Sequence, residues 1–132
     1  MDWHVAFLPD AEADLAALAR GDVERRDALE AAIRDEFRAW KAARVTRFFA
    51  AGTASPSLDR LAGSVYPGSV RVQVFAEYRA TVFCLPSYRQ AFVVQVFAKG
   101  RDPEYRSAVQ AHDARLRRYL DDFGAFVARR KW

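Results

Sequence analysis

The fold is decided by three segments, VRVQVF at residues 70–75, YRATVF at residues 78–83 and AFVVQVF at residues 91–97, the last of which runs into Lys99-Gly100-Arg101. Each segment is rich in β-branched and aromatic residues, and turn residues at positions 85–89 separate the last two. Such a pattern predicts three strands joined as successive antiparallel hairpins.

The first of these strands has two different faces. Side chains alternate along a strand, so Val70, Val72 and Val74 share one face, while Arg71, Gln73 and Phe75 share the other. We expect the valine face to be core. The opposite face then carries a cation and an amide.

Working outward toward the N-terminus, residues 3–8 read as a short strand that Pro9 stops. Asp10 is predicted to cap a first helix that ends at Gly21, and Asp22 to cap a second helix. In the second helix Leu29, Ile33, Phe37 and Trp40 recur at helical spacing, which predicts an antiparallel helical hairpin with this stripe in the core.

Toward the C-terminus, Asp102 and Pro103 occupy the N-cap and first positions of a closing helix. Its apolar face is predicted to contain Tyr105, Val109, His112, Leu116, Tyr119 and Phe123. Residues 124–132 either extend this helix or form a loose tail. The predicted fold class is therefore α+β: an N-terminal strand and helical hairpin packed on an antiparallel sheet, with a C-terminal helix.

Composition is that of a globular protein. The chain has 132 residues, 52% of them hydrophobic, which fits a single domain spanning residues 1–132 and excludes a disordered chain. No apolar run is long enough to span a bilayer, and no secretion signal is visible, so we expect a cytoplasmic protein with no membrane partner. Cys84 is expected to be a buried, reduced thiol, and two distant histidines predict neither a metal site nor a cofactor.

Charge is distributed unevenly along the chain. Residues 1–66 contain 9 Lys and Arg against 11 Asp and Glu, a net charge of −2, whereas residues 67–132 contain 12 against 6, a net charge of +6. Basic charge concentrated on the sheet and the closing helix fits either a solvated surface or the footprint of a polyanion.

Several short motifs resemble the RelE/ParE toxin superfamily, in particular its HigB-like branch of phage-derived type. They are Trp3-His4-Val5-Ala6-Phe7, Ser69-Val70-Arg71-Val72, Tyr78-Arg79-Ala80-Thr81-Val82-Phe83, Phe97-Ala98-Lys99 and the spacing from Lys99 to Tyr105. The order of elements over roughly residues 2–120 agrees as well. Three features depart from the family pattern: Ser69 stands where an acidic residue is usual, the lysine pair of RelE is absent, and so is the Asp-Tyr-His ending of some HigB toxins.

The resemblance implies the toxin of a type II toxin–antitoxin system, acting as a ribosome-dependent, metal-independent endoribonuclease on messenger RNA. It implies catalytic roles for Arg79, Lys99 and Tyr105, and RNA-binding roles for Arg71 and Arg101. The implied partners are the ribosome with its messenger RNA and a cognate antitoxin, a HigA-like helix-turn-helix protein.

Two other functions stay open at this point. A ParE-like toxin shares the fold but inhibits DNA gyrase without nuclease chemistry, and the missing lysine pair favours it. An inactive member of the fold would bind RNA or a protein partner without cutting either.

Overall fold

The protein is described by a computed structural model that covers residues 3–38, 58–85, 88–100 and 102–129, with the side chains of residues 38, 58–59, 102–105 and 123–129 outside that description. The architecture is α+β. Its elements are β1 (His4–Phe7), α1 (Pro9–Ala19), α2 (Val23–Arg38), β2 (Leu58–Arg60), β3 (Ser69–Val74), β4 (Tyr78–Leu85), β5 (Gln90–Ala98) and α3 (Asp102–Arg129).

A five-stranded sheet organises the molecule, with the strand order β1-β5-β4-β3-β2. The predicted three-stranded antiparallel meander is confirmed as β3, β4 and β5. Two strands extend it. β1 adds to β5 in parallel, with His4 opposite Gln90, and β2 adds to β3 in antiparallel orientation. The sequence did not predict β2, because three residues carry too short a pattern to identify a strand.

The two faces of the sheet differ as the alternation predicts. Val70, Val72 and Val74 are fully buried, and their partners across β4 are Val82, Ala80 and Tyr78. This face packs against α1 and α2, whose Leu15, Leu29, Ile33 and Phe37 join the same cluster. Fully burying one such large apolar side chain stabilises a fold by about 1.5–3 kcal/mol, so this cluster is the principal core.

The helical hairpin begins differently from the prediction. Asp10 does not cap α1, because the helix already starts at Pro9 and the capping position falls on Leu8. Asp10 instead lies in the first turn, where it pairs with Arg118 of α3. At α2 the prediction is confirmed, since the backbone N–H of Arg25 donates to Asp22 Oδ1 at 3.2 Å. Trp40, the last predicted residue of the apolar stripe, lies outside the described residues.

The closing helix α3 packs on the opposite face of the sheet. A bulge at β5 makes this possible: Thr81 pairs with Gln95, but Val82 pairs with Val93, so one extra residue enters β5. Val94 then packs against Leu116 of α3, and the neighbouring Gln95 Nε2 donates to the Ala108 carbonyl oxygen at 2.6 Å. The sheet is therefore enclosed between the helical hairpin and α3.

An ion pair joins three elements at the edge of this packing. Arg115 of α3 donates to both oxygens of Asp14 on α1, at 2.6 and 3.2 Å, and to the Val94 carbonyl oxygen at 3.2 Å. Asp14 Oδ2 also accepts the backbone N–H of Val96 at 3.0 Å. The hydrogen bond to Asp14 raises the pKa of Arg115. Through these contacts one charged pair joins α1, β5 and α3.

Cys84 is buried in β4, where burial raises the pKa of its thiol. The prediction of a buried thiol is therefore confirmed.

Candidate functional site

Two of the predicted arginines lie on one face of the sheet. Arg71 of β3 is opposite Thr81, and Arg79 of β4 is opposite Gln73. Partners directly opposite share a face, so Arg71 and Arg79 are diagonal neighbours on adjacent strands. This is the face on which α3 lies.

The register arranges this face in cross-strand rows. The row nearest the β3–β4 turn consists of Gln73, Arg79 and Phe97, and we call it the hairpin-end row. The second row consists of Arg71, Thr81 and Gln95. Helix α3 contacts Thr81 and Gln95 of the second row. In the hairpin-end row, Gln73 is exposed and Arg79 and Phe97 are half-buried.

The residues opposite the two arginines on the neighbouring strands differ in charge. Arg71 has Asp59 of β2 on its other side, an acidic residue. Arg79 has the uncharged residues Gln73 and Phe97 on its two sides. The residues opposite Arg79 in the sheet therefore carry no charge that would compete with an external anion.

The side chain of Arg79 is held close to the β3–β4 turn. Its Nη1 donates to the Tyr78 carbonyl oxygen at 2.8 Å and to the Ala76 carbonyl oxygen at 3.4 Å. Partial burial, and then the charge of Arg71, lowers the pKa of Arg79. Arginine stays protonated at neutral pH all the same, so Arg79 remains a cation beside the turn.

The remaining predicted site residues follow β5. Lys99 is exposed, and its backbone N–H donates to the Glu77 carbonyl oxygen at 2.7 Å, which places it beside the β3–β4 turn. Arg101 and the side chain of Tyr105 lie outside the described residues. The structure thus brings Arg71 and Arg79 together on one face and places the backbone of Lys99 beside the β3–β4 turn, while the positions of the other two side chains stay predictions.

The two residues of the Tyr78-Arg79 motif point in opposite directions. Tyr78 is buried against the helical hairpin, and its hydroxyl accepts a hydrogen bond from Arg25 of α2, whose guanidinium lies 5.9 Å from the ring centre. Arg79 occupies the other face. The motif therefore combines one buried packing residue with one half-buried cation on the opposite face.

A buried polar cluster lies beneath α3, next to the arginines. His112 is fully buried, with Nε2 2.8 Å from Ser69 Oγ and Nδ1 2.9 Å from Thr81 Oγ1. Each hydroxyl can donate or accept, so a neutral imidazole satisfies both contacts. Burial lowers the pKa of His112 to about 4. The prediction that His112 lies on the apolar face of the closing helix is confirmed. Its partner is Ser69, one of the departures from the family motif.

Phe75, predicted to end the first strand on the face of Arg71 and Gln73, is exposed but lies beyond the strand. Phe75 begins the three-residue turn between Val74 and Tyr78; it is 56% exposed and has a φ of 52°. A bulky residue in the left-handed region costs about 1–2 kcal/mol relative to glycine, and turns of this kind favour Gly or Asn there. The strand pattern of residues 70–75 gave no sign that the strand would end at Val74 and leave Phe75 in the turn.

Comparison with models of known protein families finds no match, and no curated protein matches the chain. Within the described part of the chain, none of the helices combines the length and apolar character needed to cross a bilayer. Among the same residues, no group of three or more His, Cys, Asp and Glu is placed to hold a metal ion.

Proposed function

We propose that this protein is the toxin of a type II toxin–antitoxin system and that it cleaves messenger RNA on the ribosome in the cytoplasm. The observation that carries the proposal is the placement of Arg79. Its guanidinium is fixed by the carbonyl oxygens of the β3–β4 turn and lies diagonally across from Arg71 on one face of the sheet.

The geometry supports phosphate chemistry for a physical reason. A guanidinium carries five N–H donors, and the two described hydrogen bonds of Arg79 both use Nη1. The other donors can bind two phosphate oxygens at once. Because the side chain is already positioned, little ordering is needed when charge develops on the phosphoryl group.

The proposed reaction is attack of a 2′-hydroxyl on the adjacent phosphate, which releases a 5′-hydroxyl. Arg79 stabilises the charge on the phosphoryl oxygens, and Arg71 and Arg101 hold the RNA backbone. Lys99 and Tyr105 serve the two proton transfers, one from the attacking hydroxyl and one to the leaving oxygen.

The test is cleavage of a defined message on purified ribosomes. Arg79→Ala should cut at least about 100-fold more slowly than the wild type, the loss typical of removing one preorganised donor. Arg20→Asn is a matched control: it also removes one exposed arginine, it lies between α1 and α2, and asparagine tolerates the positive φ of 50° at this position. The control should cut at the wild-type rate.

Two results would contradict the proposal. Full activity in a folded Arg79→Ala variant would show that Arg79 has no part in cleavage. An intact message, together with inhibition of supercoiling by purified gyrase, would support the ParE-like alternative instead.

We also propose a cognate antitoxin of the helix-turn-helix type as the partner in the cell. The support is the net charge of +6 on residues 67–132, which suits an acidic partner segment. Expression of the chain without a partner should then arrest bacterial growth, and Arg79→Ala should relieve the arrest. Normal growth at a high level of wild-type protein would overturn this part of the proposal.

A further inference from the structure

Backbone carbonyl oxygens in and next to the β3–β4 turn accept hydrogen bonds from Lys99 and Arg79. The Glu77 carbonyl oxygen accepts the backbone N–H of Lys99, and the Ala76 and Tyr78 carbonyl oxygens accept Nη1 of Arg79. Phe75 is the first residue of this turn. It is therefore presented by a turn whose next two residues bind the guanidinium of Arg79 and the backbone of Lys99.

The backbone conformation of Phe75 is one that phenylalanine rarely adopts. An exposed aromatic side chain gains little from burial, and the backbone at a φ of 52° favours glycine or asparagine. Strained positions of this kind cluster at binding sites, where the side chain serves a ligand rather than the fold. Phe75 is consequently a candidate for an external contact.

We propose that Phe75 stacks on a nucleobase of the bound single-stranded RNA. The inference rests on the proposed function and extends it with a contact to the base. Cations beside an exposed aromatic ring form the arrangement that binds single strands, because the cations hold the phosphates while the ring stacks on an unpaired base. A base within a duplex is already stacked on its neighbours and does not offer its face in this way.

Another exposed aromatic residue, Tyr88, provides the control. Tyr88 is 77% exposed and lies in the β4–β5 connection, at the opposite end of β4 from Phe75. It shares the size and exposure of Phe75 but not the adjacent Arg79. Stacking therefore predicts an effect at Phe75 alone.

The experiment measures cleavage on ribosomes programmed with a message in which one nucleotide of the presented codon at a time is abasic. Phe75→Ala should slow cleavage of the unmodified message about tenfold or more, within the range for loss of one stacked base. Phe75→Trp should restore the wild-type rate, since it restores the aromatic face. Tyr88→Ala should change nothing.

The abasic messages separate stacking from a structural effect. One abasic position should slow the wild type by about the same factor as Phe75→Ala, and should not slow the Phe75→Ala variant further, because the two partners of one contact are not additive. Factors that multiply at every position would overturn the inference, as would a Phe75→Ala variant that cuts at the wild-type rate.

These outcomes are distinct from failure of the proposed function. Loss of cleavage in Arg79→Ala with full activity in Phe75→Ala would contradict the stacking contact but would still support the proposed nuclease activity. A wild-type protein that cuts no message on ribosomes overturns both.

Discussion

The Nε2 atom of His112 lies 2.8 Å from the hydroxyl oxygen of Ser69, and this buried hydrogen bond joins the closing helix to the strand that carries Arg71. The second ring nitrogen, Nδ1, contacts Thr81 on β4 at 2.9 Å. One imidazole thus fixes α3 over two neighbouring strands. The position of the helix relative to the arginines depends on a side chain that must stay neutral.

Stability should therefore fall in mild acid. Burial lowers the pKa of His112 from 6.5 to about 4, so between these values the unfolded state binds a proton that the folded state does not. The contribution is fully present above about pH 6.5, is lost as the pH falls toward 4, and changes no further below that, a loss of roughly 2–4 kcal/mol. Urea unfolding at pH 7.5 and pH 5 measures it.

The control for this prediction is His112→Gln, which removes the titrating group. The variant should be less stable than the wild type at pH 7.5, but its stability should change less between the two pH values. The same pH dependence in both proteins would assign the acid sensitivity to other groups.

Two aspartates of α1 provide a second prediction. Asp14 is 21% exposed and holds both Arg115 and the N–H of Val96, whereas Asp10 is 43% exposed and pairs with Arg118 alone. Asp14→Ala should lower the free energy of unfolding by about 1–3 kcal/mol, because it removes the carboxylate that pairs with the Arg115 guanidinium and accepts the backbone N–H of Val96. Asp10→Ala should change it by less than about 1 kcal/mol. Chemical denaturation of both variants measures the difference, and equal losses would contradict it.

Two glycines give a third matched pair. Gly68 and Gly21 both have positive φ, 92° and 83°, but a Cβ at Gly68 would lie 2.6 Å from the Cys84 carbonyl oxygen, while one at Gly21 would meet nothing within 4 Å. Gly21→Ala should cost about 1–2 kcal/mol from backbone strain. Gly68→Ala should cost more by about 1–3 kcal/mol, since the added methyl forces β3 and β4 apart. Thermal unfolding of both variants tests this, and a similar shift in Tm would show that the strands adjust freely.

Local pattern was enough to predict the centre of the fold. The valine alternation in β3 and the leucine, isoleucine and phenylalanine spacing in α2 each reflect a single periodicity, and both side-chain sets are buried as predicted. Pairing between distant segments was beyond this reasoning. The parallel addition of β1 to β5 joins His4 to Gln90, and no local pattern specifies such a contact.

Only part of the site was predicted, again because local pattern does not specify contacts between distant segments. Alternation gave Arg71 its face, but whether Arg79 shares that face depended on the register of the hairpin, which the structure provides. The turn carbonyls that hold Arg79, the left-handed φ of Phe75 and the Ser69–His112 contact all depend on three-dimensional packing. None of these has a signature in the order of the residues.

The last prediction separates the role of Arg79 in function from its role in stability. Arg79→Met keeps most of the aliphatic length and removes the charge. The variant loses the hydrogen bonds to the Ala76 and Tyr78 carbonyl oxygens. This loss is offset because the variant no longer desolvates a charge or places one near Arg71, the two causes that lower the pKa of Arg79. The free energy of unfolding should stay within about 0.5 kcal/mol of the wild type, as for most substitutions outside the core. Arg115→Met, which breaks the pair with Asp14, should lose about 1–3 kcal/mol in the same urea titration. A loss at Arg79 as large as the loss at Arg115 would make Arg79 a structural residue, and any fall in cleavage by its variants would then report on the fold.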